Sequence, residues 1–252
     1  MSQPDNALRD AFVARNARKA SFTGSLLEAR RPLIMEVKRH DGDGTDLLGG
    51  RTLAQVVAGY EAAGAPCVSV VTGRWFGGTE SMLTEVAELT DLPILQKDFI
   101  TRRAQVSRAK ALGASAVLLT AGLLARSSLA TLVDACLSVG LTPFVEVTTE
   151  AEITSVPHPE HCVIAVNNKD IKTREREPGD LGRSQRLLPA VLDTGTPCPV
   201  SASGIGAPEV AAGLLRAGYA GLLVGTTLLR TGNLDDYLST LDAELARQGD
   251  AR

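Results

Sequence analysis

The chain has 252 residues, of which 44% are hydrophobic and 22% are charged, with 24 glycines and 12 prolines. This composition is typical of a globular protein and excludes collagen-like, coiled-coil and low-complexity chains. The formal net charge is -3, and no run of lysine and arginine is long enough to follow a phosphate backbone, so nucleic acid is not an expected partner. The polar first residues and the lack of a long apolar run predict a cytoplasmic protein without a membrane partner.

The cysteines and histidines do not form a pattern that predicts a metal site. The cysteines are too far apart for a metal knuckle or a disulfide-rich module, which favours four reduced core residues: Cys67, Cys136, Cys162 and Cys198. His158 and His161 lie in a proline-rich segment, where a solvated turn is the favoured interpretation. The Asp-x-Asp-Gly run at 41–44 lacks the terminal glutamate of a calcium loop. We therefore expect no bound metal.

Eight short apolar runs, rich in β-branched residues and mostly bounded by glycine, proline or polar turns, predict eight strands. These runs are 33–37, 67–71, 93–96, 116–119, 142–147, 162–166, 198–201 and 221–224. Successive runs start 20 to 36 residues apart, which is the length of one strand plus one crossover helix.

The segments between the predicted strands carry helical spacing, for example at Leu53, Val56 and Tyr60. Several end in a glycine that can close a helix in the left-handed conformation, namely Gly64, Gly113, Gly140 and Gly218. Eight alternating βα units predict an α/β protein whose residues 1–252 form one (β/α)8 TIM barrel, with an N-terminal helical extension over about 1–32 packed across it. A doubly wound open sheet is the alternative, but the first strand is not followed by a Gly-x-Gly-x-x-Gly fingerprint.

Charged and polar residues follow several predicted strands, at the end where TIM barrels carry their active sites. Glu36 and Lys38 end the first strand and project to the same side of it, while Lys97, Glu146 and Asn167 follow the third, fifth and sixth. Lysines and glutamates that converge in one cavity can divide into acids and bases, which predicts proton-transfer chemistry. Any single pair is equally well a structural ion pair, but several buried pairs at one mouth favour function because buried charges are costly.

The last two strands are followed by runs of small residues, at 203–209 and 224–227. Backbone N–H groups at such strand-to-helix turns can bind an anion, and TIM barrels often bind phosphate after strands seven and eight. The alternative is two tight turns whose glycines serve geometry alone. Because the runs occur on adjacent strands, we favour a phosphate site.

Taken together, several motifs resemble those of the indole-3-glycerol phosphate synthase family, in order and spacing, from about residue 8 to 238. The most specific combination is Leu-Pro-Ile-Leu-Gln-Lys-Asp-Phe-Ile at 92–100, followed by Val-Glu-Val at 145–147 and Asn-Asn-Lys-Asp at 167–170. The other matching runs are 34–39, 69–72, 76–78 and 200–205.

This resemblance implies an enzyme, a carboxy-lyase that closes the pyrrole ring of indole on 1-(2-carboxyphenylamino)-1-deoxyribulose 5-phosphate, losing carbon dioxide and water, without metal or organic cofactor. By position, Lys97 is the implied general acid for ring closure and Glu146 the base for dehydration. Lys38 is a cationic partner or second acid, and Glu36 and Asn167 orient the substrate and the lysines. The implied phosphate ligands are Ser203, Gly204, Gly225, Thr226 and Lys169.

Three places depart from the family pattern. A Ser-Pro-Ser run is replaced by the acidic loop 40–46, one glutamate is replaced by Ala202, and another by Gly73. We expect the loop to be a mobile segment over the barrel mouth with its carboxylates in water, where they weaken the binding of an anionic substrate. The sequence leaves open the ordinary synthase, a paralogue acting on a related amino-ketose phosphate, and a non-catalytic metabolite-binding barrel. An isomerase of the same pathway is disfavoured because strands one and five carry glutamates and not an aspartate pair.

Overall fold

Eight parallel strands close into a barrel in chain order, each paired with the next and the eighth with the first, in a computed structural model that describes residues 19–169, 179–231 and 233–247. The strands are β1 (Leu33–Val37), β2 (Cys67–Val71), β3 (Ile94–Lys97), β4 (Ala116–Thr120), β5 (Thr142–Val147), β6 (Val163–Asn167), β7 (Cys198–Ala202) and β8 (Gly221–Val224). The predicted (β/α)8 barrel is confirmed, and the open sheet is excluded. Each strand lies within one residue of its predicted bounds.

Helices follow the strands and cover the outside of the barrel. They are α1 (Phe22–Leu27), α2 (Leu53–Ala62), α3 (Glu80–Leu89), α4 (Arg103–Ala111), α5 (Arg126–Ser138), α6 (Glu150–Ile153), α7 (Leu181–Asp193), α8 (Pro208–Ala217), α9 (Thr226–Arg230) and α10 (Leu234–Ala246). Local start signals precede several of them: Thr52 and Gln55 form a capping box at α2, and the Thr79 hydroxyl accepts from Met82 N–H at α3. The four predicted helix-closing glycines all have positive φ, between 69° and 121°.

The barrel interior changes character from one end to the other. Alternate residues of each strand face inward, and near the amino-terminal end they are apolar: Ile34, Cys67, Leu95, Ala116, Phe144, Val163 and Cys198. Nearer the carboxyl end the same alternation places charged and polar side chains inside, all at most 9% exposed: Glu36, Lys38, Lys97, Glu146 and Asn167. The apolar half stabilises the fold, and the polar half is left for chemistry.

Helix α1 closes the amino-terminal end of the barrel. Phe22 and Leu26 are at most 1% exposed, and the Phe22 ring meets Phe144 edge to face at 6.2 Å. Gly221 lets α1 approach, because a Cβ there would lie 2.7 Å from a Leu26 methyl group. The predicted extension over 1–32 is described from residue 19 onward, and its earlier part lies outside the described residues. Within the described ranges, no helix has the length and apolar character needed to cross a membrane.

We expect Phe22→Ala to lower the free energy of unfolding by about 3–5 kcal/mol, because it empties a buried aromatic site under β5. Thermal or urea unfolding measures this loss. Leu27→Ala, on the same helix but 47% exposed, is the matched control and should cost far less. Equal stability of the two variants would show that α1 does not close the barrel core.

Candidate active site

A cavity of about 190 Å³ opens at the carboxyl ends of the strands. Eight of the ten residues predicted for the site line it: Glu36, Lys38, Lys97, Lys169, Ser203, Gly204, Gly225 and Thr226. A larger cavity of about 450 Å³ lies at the opposite end, beside the start of α1. None of the predicted site residues lines that one, and barrel enzymes place their chemistry at the carboxyl end. The smaller cavity is therefore the candidate active site.

The carboxylate of Glu36 lies between two lysines at the base of this cavity. Lys97 Nζ is 3.0 Å from Oε2 as an ion-pair contact, and Lys38 Nζ is 3.5 Å from Oε1. All three side chains are at most 10% exposed. Because water is largely excluded, each charge depends on its neighbours, and the glutamate keeps both lysines at the mouth of the barrel. Lys38 Nζ also lies 5.0 Å from the centre of the Phe76 ring.

Tyr60, on α2, contacts the backbone of β1 at Glu36 from outside the barrel. Its hydroxyl donates to the Glu36 backbone carbonyl at 2.9 Å. Burial raises the pKa of the Tyr60 phenol, and the nearby Glu36 charge raises it further, so the group remains a donor throughout the neutral range. Sequence reasoning identified Tyr60 only as part of an apolar helix face.

Lys97 also lines a second, narrow cleft that opens beside the first. Glu146, Asp98 and Thr120 line this cleft, and apolar and aromatic side chains form much of its wall: Val71, Phe76, Phe99 and Leu118. At the rim, Trp75 packs against Phe99 with ring centres 5.0 Å apart and is 55% exposed. The predicted acid and base thus share a narrow cleft with an aromatic wall.

Lys97 forms an ion pair with Glu36, and Asp98, the next residue in the chain, bonds to neighbouring backbone and side-chain groups. Asp98 follows the last residue of β3 and lines the same narrow cleft as Lys97. Its Oδ2 accepts from the Thr72 hydroxyl at 2.7 Å, and its Oδ1 accepts from Phe99 N–H at 2.8 Å. Gln96 Nε2 in turn donates to Thr72 at 3.0 Å. This network fixes the turn that follows β3.

Asn167 lies inside the barrel at the end of β6, but it lines neither cavity. Its Oδ1 accepts from Lys169 N–H at 2.9 Å, which shapes the turn that brings Lys169 to the cavity. Arg183, which the sequence did not single out, donates to the Asn167 carbonyl at 2.6 Å from α7. An arginine on the outer face of a crossover helix carries no sequence signal for such a contact.

The turns after β7 and β8 lie side by side at the far wall of the cavity. Ser203 and Gly204 have φ of 68° and 74°, and Gly225 is the N-cap of α9. Thr227 Oγ1 donates to the Ile205 carbonyl at 2.9 Å and joins the two turns. The first N–H groups of a helix have no partner within it, so this wall can receive an anion.

Glu36 and Gly225 bring the first and last strands together. A Cβ at Gly225 would overlap the Glu36 carboxylate, with Cδ at 3.0 Å. Glycine at position 225 is therefore required by the buried charge cluster and not only by an incoming phosphate. The neighbouring Gly206 differs, because a Cβ there meets nothing within 4 Å.

In the acidic loop 40–46, Asp43 and Asp46 are exposed to water as the sequence predicts, but Asp41 is not. Asp41 Oδ1 accepts from the N–H groups of Asp43 and Thr45, both at 2.9 Å, and Oδ2 pairs with Arg230 of α9. The Asp41 side chain is only 12% exposed, and the loop residues do not line the cavity. The Asp41 carboxylate thus bonds to backbone N–H groups of its own loop, in the manner of an Asx turn. The composition of the loop alone does not predict this arrangement.

Burial by itself raises the pKa of Asp41, but the two N–H groups and Arg230 outweigh burial and lower it below the ordinary 3.8. A carboxylate with a lowered pKa stabilises the fold at neutral pH, and this contribution fades as the pH falls below 3.8. We expect Asp41→Ala to lower the free energy of unfolding by about 1–2 kcal/mol at pH 7.

Urea unfolding of Asp41→Ala and wild type at pH 7 and in steps below pH 4 checks this expectation. The difference between the two proteins should shrink with acidification. Asp43→Ala, at an exposed position of the same loop, is the control and should follow wild type. A difference that is independent of pH would contradict the role given to the Asp41 charge.

A family model for indole-3-glycerol phosphate synthase matches residues 2–241 of the chain. The indole-3-glycerol phosphate synthase of Pyrococcus furiosus is 34% identical over 218 residues, which cover 86% of this chain and 94% of that protein. The enzyme of the same name from Aquifex aeolicus is 35% identical over 69% of this chain and 67% of its own length. Indole-3-glycerol phosphate synthase 1 of Streptomyces coelicolor is 35% identical over 78% of this chain and 72% of its own.

Among solved structures, 3-hexulose-6-phosphate synthase from Salmonella typhimurium matches with a TM-score of 0.65 at 11% identity, over 85% of this chain and 98% of that one. This likeness concerns the fold alone. The family model goes further, because its match over residues 2–241 includes all eight strands and the residues of the cavity. The chain belongs to the indole-3-glycerol phosphate synthase family.

Proposed function

We propose that the protein is an indole-3-glycerol phosphate synthase of tryptophan biosynthesis, which converts 1-(2-carboxyphenylamino)-1-deoxyribulose 5-phosphate to indole-3-glycerol phosphate, carbon dioxide and water. The observation that carries the proposal is the position of Lys97. Its side chain lines both the aromatic cleft and the main cavity, and its Nζ lies 3.0 Å from the buried Glu36 carboxylate. A cationic acid at this junction meets the ketose carbon of a substrate whose ring and phosphate occupy the two sides.

In the first step, the ring carbon that bears the carboxylate attacks the ketone carbon. Lys97 gives its proton to the ketone oxygen as the new carbon–carbon bond forms, which prevents negative charge from building up on that oxygen. Loss of carbon dioxide then restores the aromatic ring. Glu36 holds the Lys97 ammonium in place, and the Phe99 and Trp75 rings support the ring of the substrate.

In the second step, the new hydroxyl leaves as water. Glu146 removes a proton from the ring being formed, and a lysine ammonium, Lys38 or the recharged Lys97, protonates the leaving oxygen. Glu146 is 3% exposed and shares the cleft with Lys97, so the base and the acid act across the same small space. Asn167 keeps the β6 turn in register through its contact with Lys169 N–H.

The phosphate is assigned to the wall formed by Ser203, Gly204, Gly225 and Thr226, with Lys169 supplying a positive charge. All five residues line the main cavity. Backbone N–H groups at the turns after β7 and β8 suit the oxygens of a dianion, and Lys97 lines both this cavity and the aromatic cleft. The substrate class is therefore a small phosphorylated molecule with an aromatic end.

Incubation of the purified protein with the carboxyphenylamino-deoxyribulose phosphate, monitored by the appearance of indole fluorescence, tests the proposal. We expect turnover without added metal, unchanged by a chelator, and competitive inhibition by inorganic phosphate. Lack of turnover with the correctly folded protein would contradict the proposal.

A paralogue that acts on a related amino-ketose phosphate is the second candidate. It is supported by Gly73, which lines the aromatic cleft, and by Ala202, which faces the barrel interior, since both stand where the family pattern has a glutamate. The same assay with a substrate that lacks the ring carboxylate distinguishes the two. Higher kcat/KM for that analogue, measured as substrate consumption, would favour the paralogue.

We also assign the protein to the cytoplasm. The four cysteines are buried and unpaired, as expected in a reducing compartment. Burial raises the pKa of the Cys198 thiol to about 12, so the group stays protonated and unreactive at neutral pH.

A further inference from the structure

Asn168 follows β6 and is 1% exposed, and hydrogen bonds saturate its side-chain amide. Nδ2 donates to three oxygens of the β7 end, each at 3.1 Å: Ser201 Oγ, the Ala202 carbonyl and the Ser203 carbonyl. Oδ1 accepts from the Ser184 hydroxyl at 2.8 Å and from Ser184 N–H at 3.2 Å. The amide therefore connects the end of β6 and the start of α7 to the turn after β7.

That turn has an unfavourable backbone conformation. Ser203 has φ of 68°, and only His158 shares a positive φ among the non-glycine residues of the described ranges. L-residues avoid this region because Cβ approaches the backbone, so surrounding structure must hold Ser203 there. The next residue, Gly204, also has positive φ, at 74°. Both residues line the main cavity.

The contacts around Ser203 come mainly from the Asn168 side. Asn168 N–H donates to the Ala202 carbonyl at 2.9 Å, and Asp180 N–H donates to the Asn168 carbonyl at 2.7 Å. Gly179 packs so closely on Gly204 that a Cβ at Gly204 would lie 3.2 Å from the Gly179 Cα. The side-chain bond to the Ser203 carbonyl is the one that acts directly on the strained residue.

We infer that Asn168 is a positioning residue for the phosphate site. Its amide holds Ser203 in the left-handed conformation that brings Ser203 and Gly204 to the cavity wall. The inference rests on the phosphate site of the proposed function. Asn168 is buried and lines neither cavity, so its removal should weaken the binding of the phosphate group and leave the acid–base groups on β1, β3 and β5 in place.

A double-mutant cycle between Asn168→Ala and Ser203→Gly tests this inference, with binding of inorganic phosphate measured by titration calorimetry. Glycine adopts positive φ without steric cost, so it should not need the amide. We expect Asn168→Ala to weaken phosphate binding by about tenfold or more with Ser203 present, and by less than threefold with glycine at 203. In turnover, the same variant should raise KM and leave kcat within about threefold of wild type.

Ser184→Ala is the matched control, because it removes a buried partner of the same amide and leaves the bond to the Ser203 carbonyl intact. It should lower the melting temperature without weakening phosphate binding comparably. Asn168→Ser is made alongside in case the alanine variant fails to fold. An equal loss in both backgrounds, a loss as large in Ser184→Ala, or failure of both Asn168 variants to fold would overturn the inference.

The readouts separate this inference from the proposed function. If wild type binds phosphate but does not convert the carboxyphenylamino substrate, the proposed reaction fails while the calorimetric cycle still measures the role of Asn168. If wild type turns the substrate over and the cycle shows no coupling, the inference fails alone. A wild-type protein that does not bind phosphate would overturn the inference directly.

Discussion

Lys97→Met should lower kcat by ~10²–10⁴-fold, the range for loss of one general acid, while the protein stays folded. Methionine keeps most of the side-chain volume and removes only the ammonium that lies 3.0 Å from Glu36. Steady-state turnover of the carboxyphenylamino-deoxyribulose phosphate gives kcat, and circular dichroism reports the fold. Lys110→Met is the control, since Lys110 lies by the cavity at the opposite end of the barrel.

Glu146→Gln should reduce kcat over the same range if it removes the base of the dehydration step. Because the two groups act in successive steps, the rate-limiting step should differ between the two variants. A single-turnover experiment therefore separates them: Lys97→Met slows the release of carbon dioxide, and Glu146→Gln does not. Activity within a few-fold of wild type in both variants would rule out the assigned roles.

Gly225→Ala should lower kcat/KM by ~10²-fold, because even a methyl group at this position displaces the Glu36 carboxylate. The carboxylate holds Lys97 and Lys38, so misplacing it disturbs the acid at the ketose carbon. The effect should appear in kcat as well as in KM. A role for Gly225 as a phosphate ligand alone, which is what the family resemblance implies, would instead raise KM and leave kcat unchanged.

Gly206→Ala is the matched control, since Gly206 also lines the cavity and a Cβ there meets nothing within 4 Å. It should stay within about threefold of wild type. Steady-state kcat and KM of the two alanine variants, measured side by side, show whether the contact with Glu36 matters for catalysis. A Gly225→Ala enzyme with normal kcat and a raised KM would instead show that Gly225 acts through phosphate binding and not through Glu36.

The barrel could be predicted from sequence because each of its strands is a short, buried β-branched run with its own stop signals. The small errors have local causes. β3 begins at Ile94 and not at Pro93, because proline has no N–H and only its carbonyl enters the ladder, accepting from Val68 N–H. The helices that end at a glycine were predictable for the same reason, because the glycine that closes each one is a local signal in the sequence.

The sequence predicted which residues line the site but only partly how their side chains contact one another. The residues follow strand ends, and barrel geometry brings strand ends together, so Glu36, Lys97 and Glu146 were found without contacts being known. The ion pair of Lys97 with Glu36 joins β3 to β1, and no local pattern along either strand shows such a contact. Asn168 and Arg183 act on backbone groups of another strand or turn, a kind of contact that leaves no pattern along the chain.

The acidic loop shows a different limit. Its composition correctly indicates polar residues near the mouth, but a carboxylate can face water, a ligand or its own backbone. The Asp41 carboxylate faces its own backbone, and its ion-pair partner Arg230 is 189 positions away in the chain. No local rule selects among these outcomes, because the choice depends on where α9 lies in the closed barrel.

The closure of β1 on β8 has a consequence for how the protein is made. Glu36 and Lys38 leave the ribosome among the first residues of the barrel, and Gly225, against which Glu36 packs, leaves among the last. Until then β1 is an open sheet edge with a buried charge cluster only half assembled, and unpaired edges invite association with other chains. The β1 edge is therefore sealed only once β8 has emerged, and the surroundings of Glu36 are completed by that same late strand.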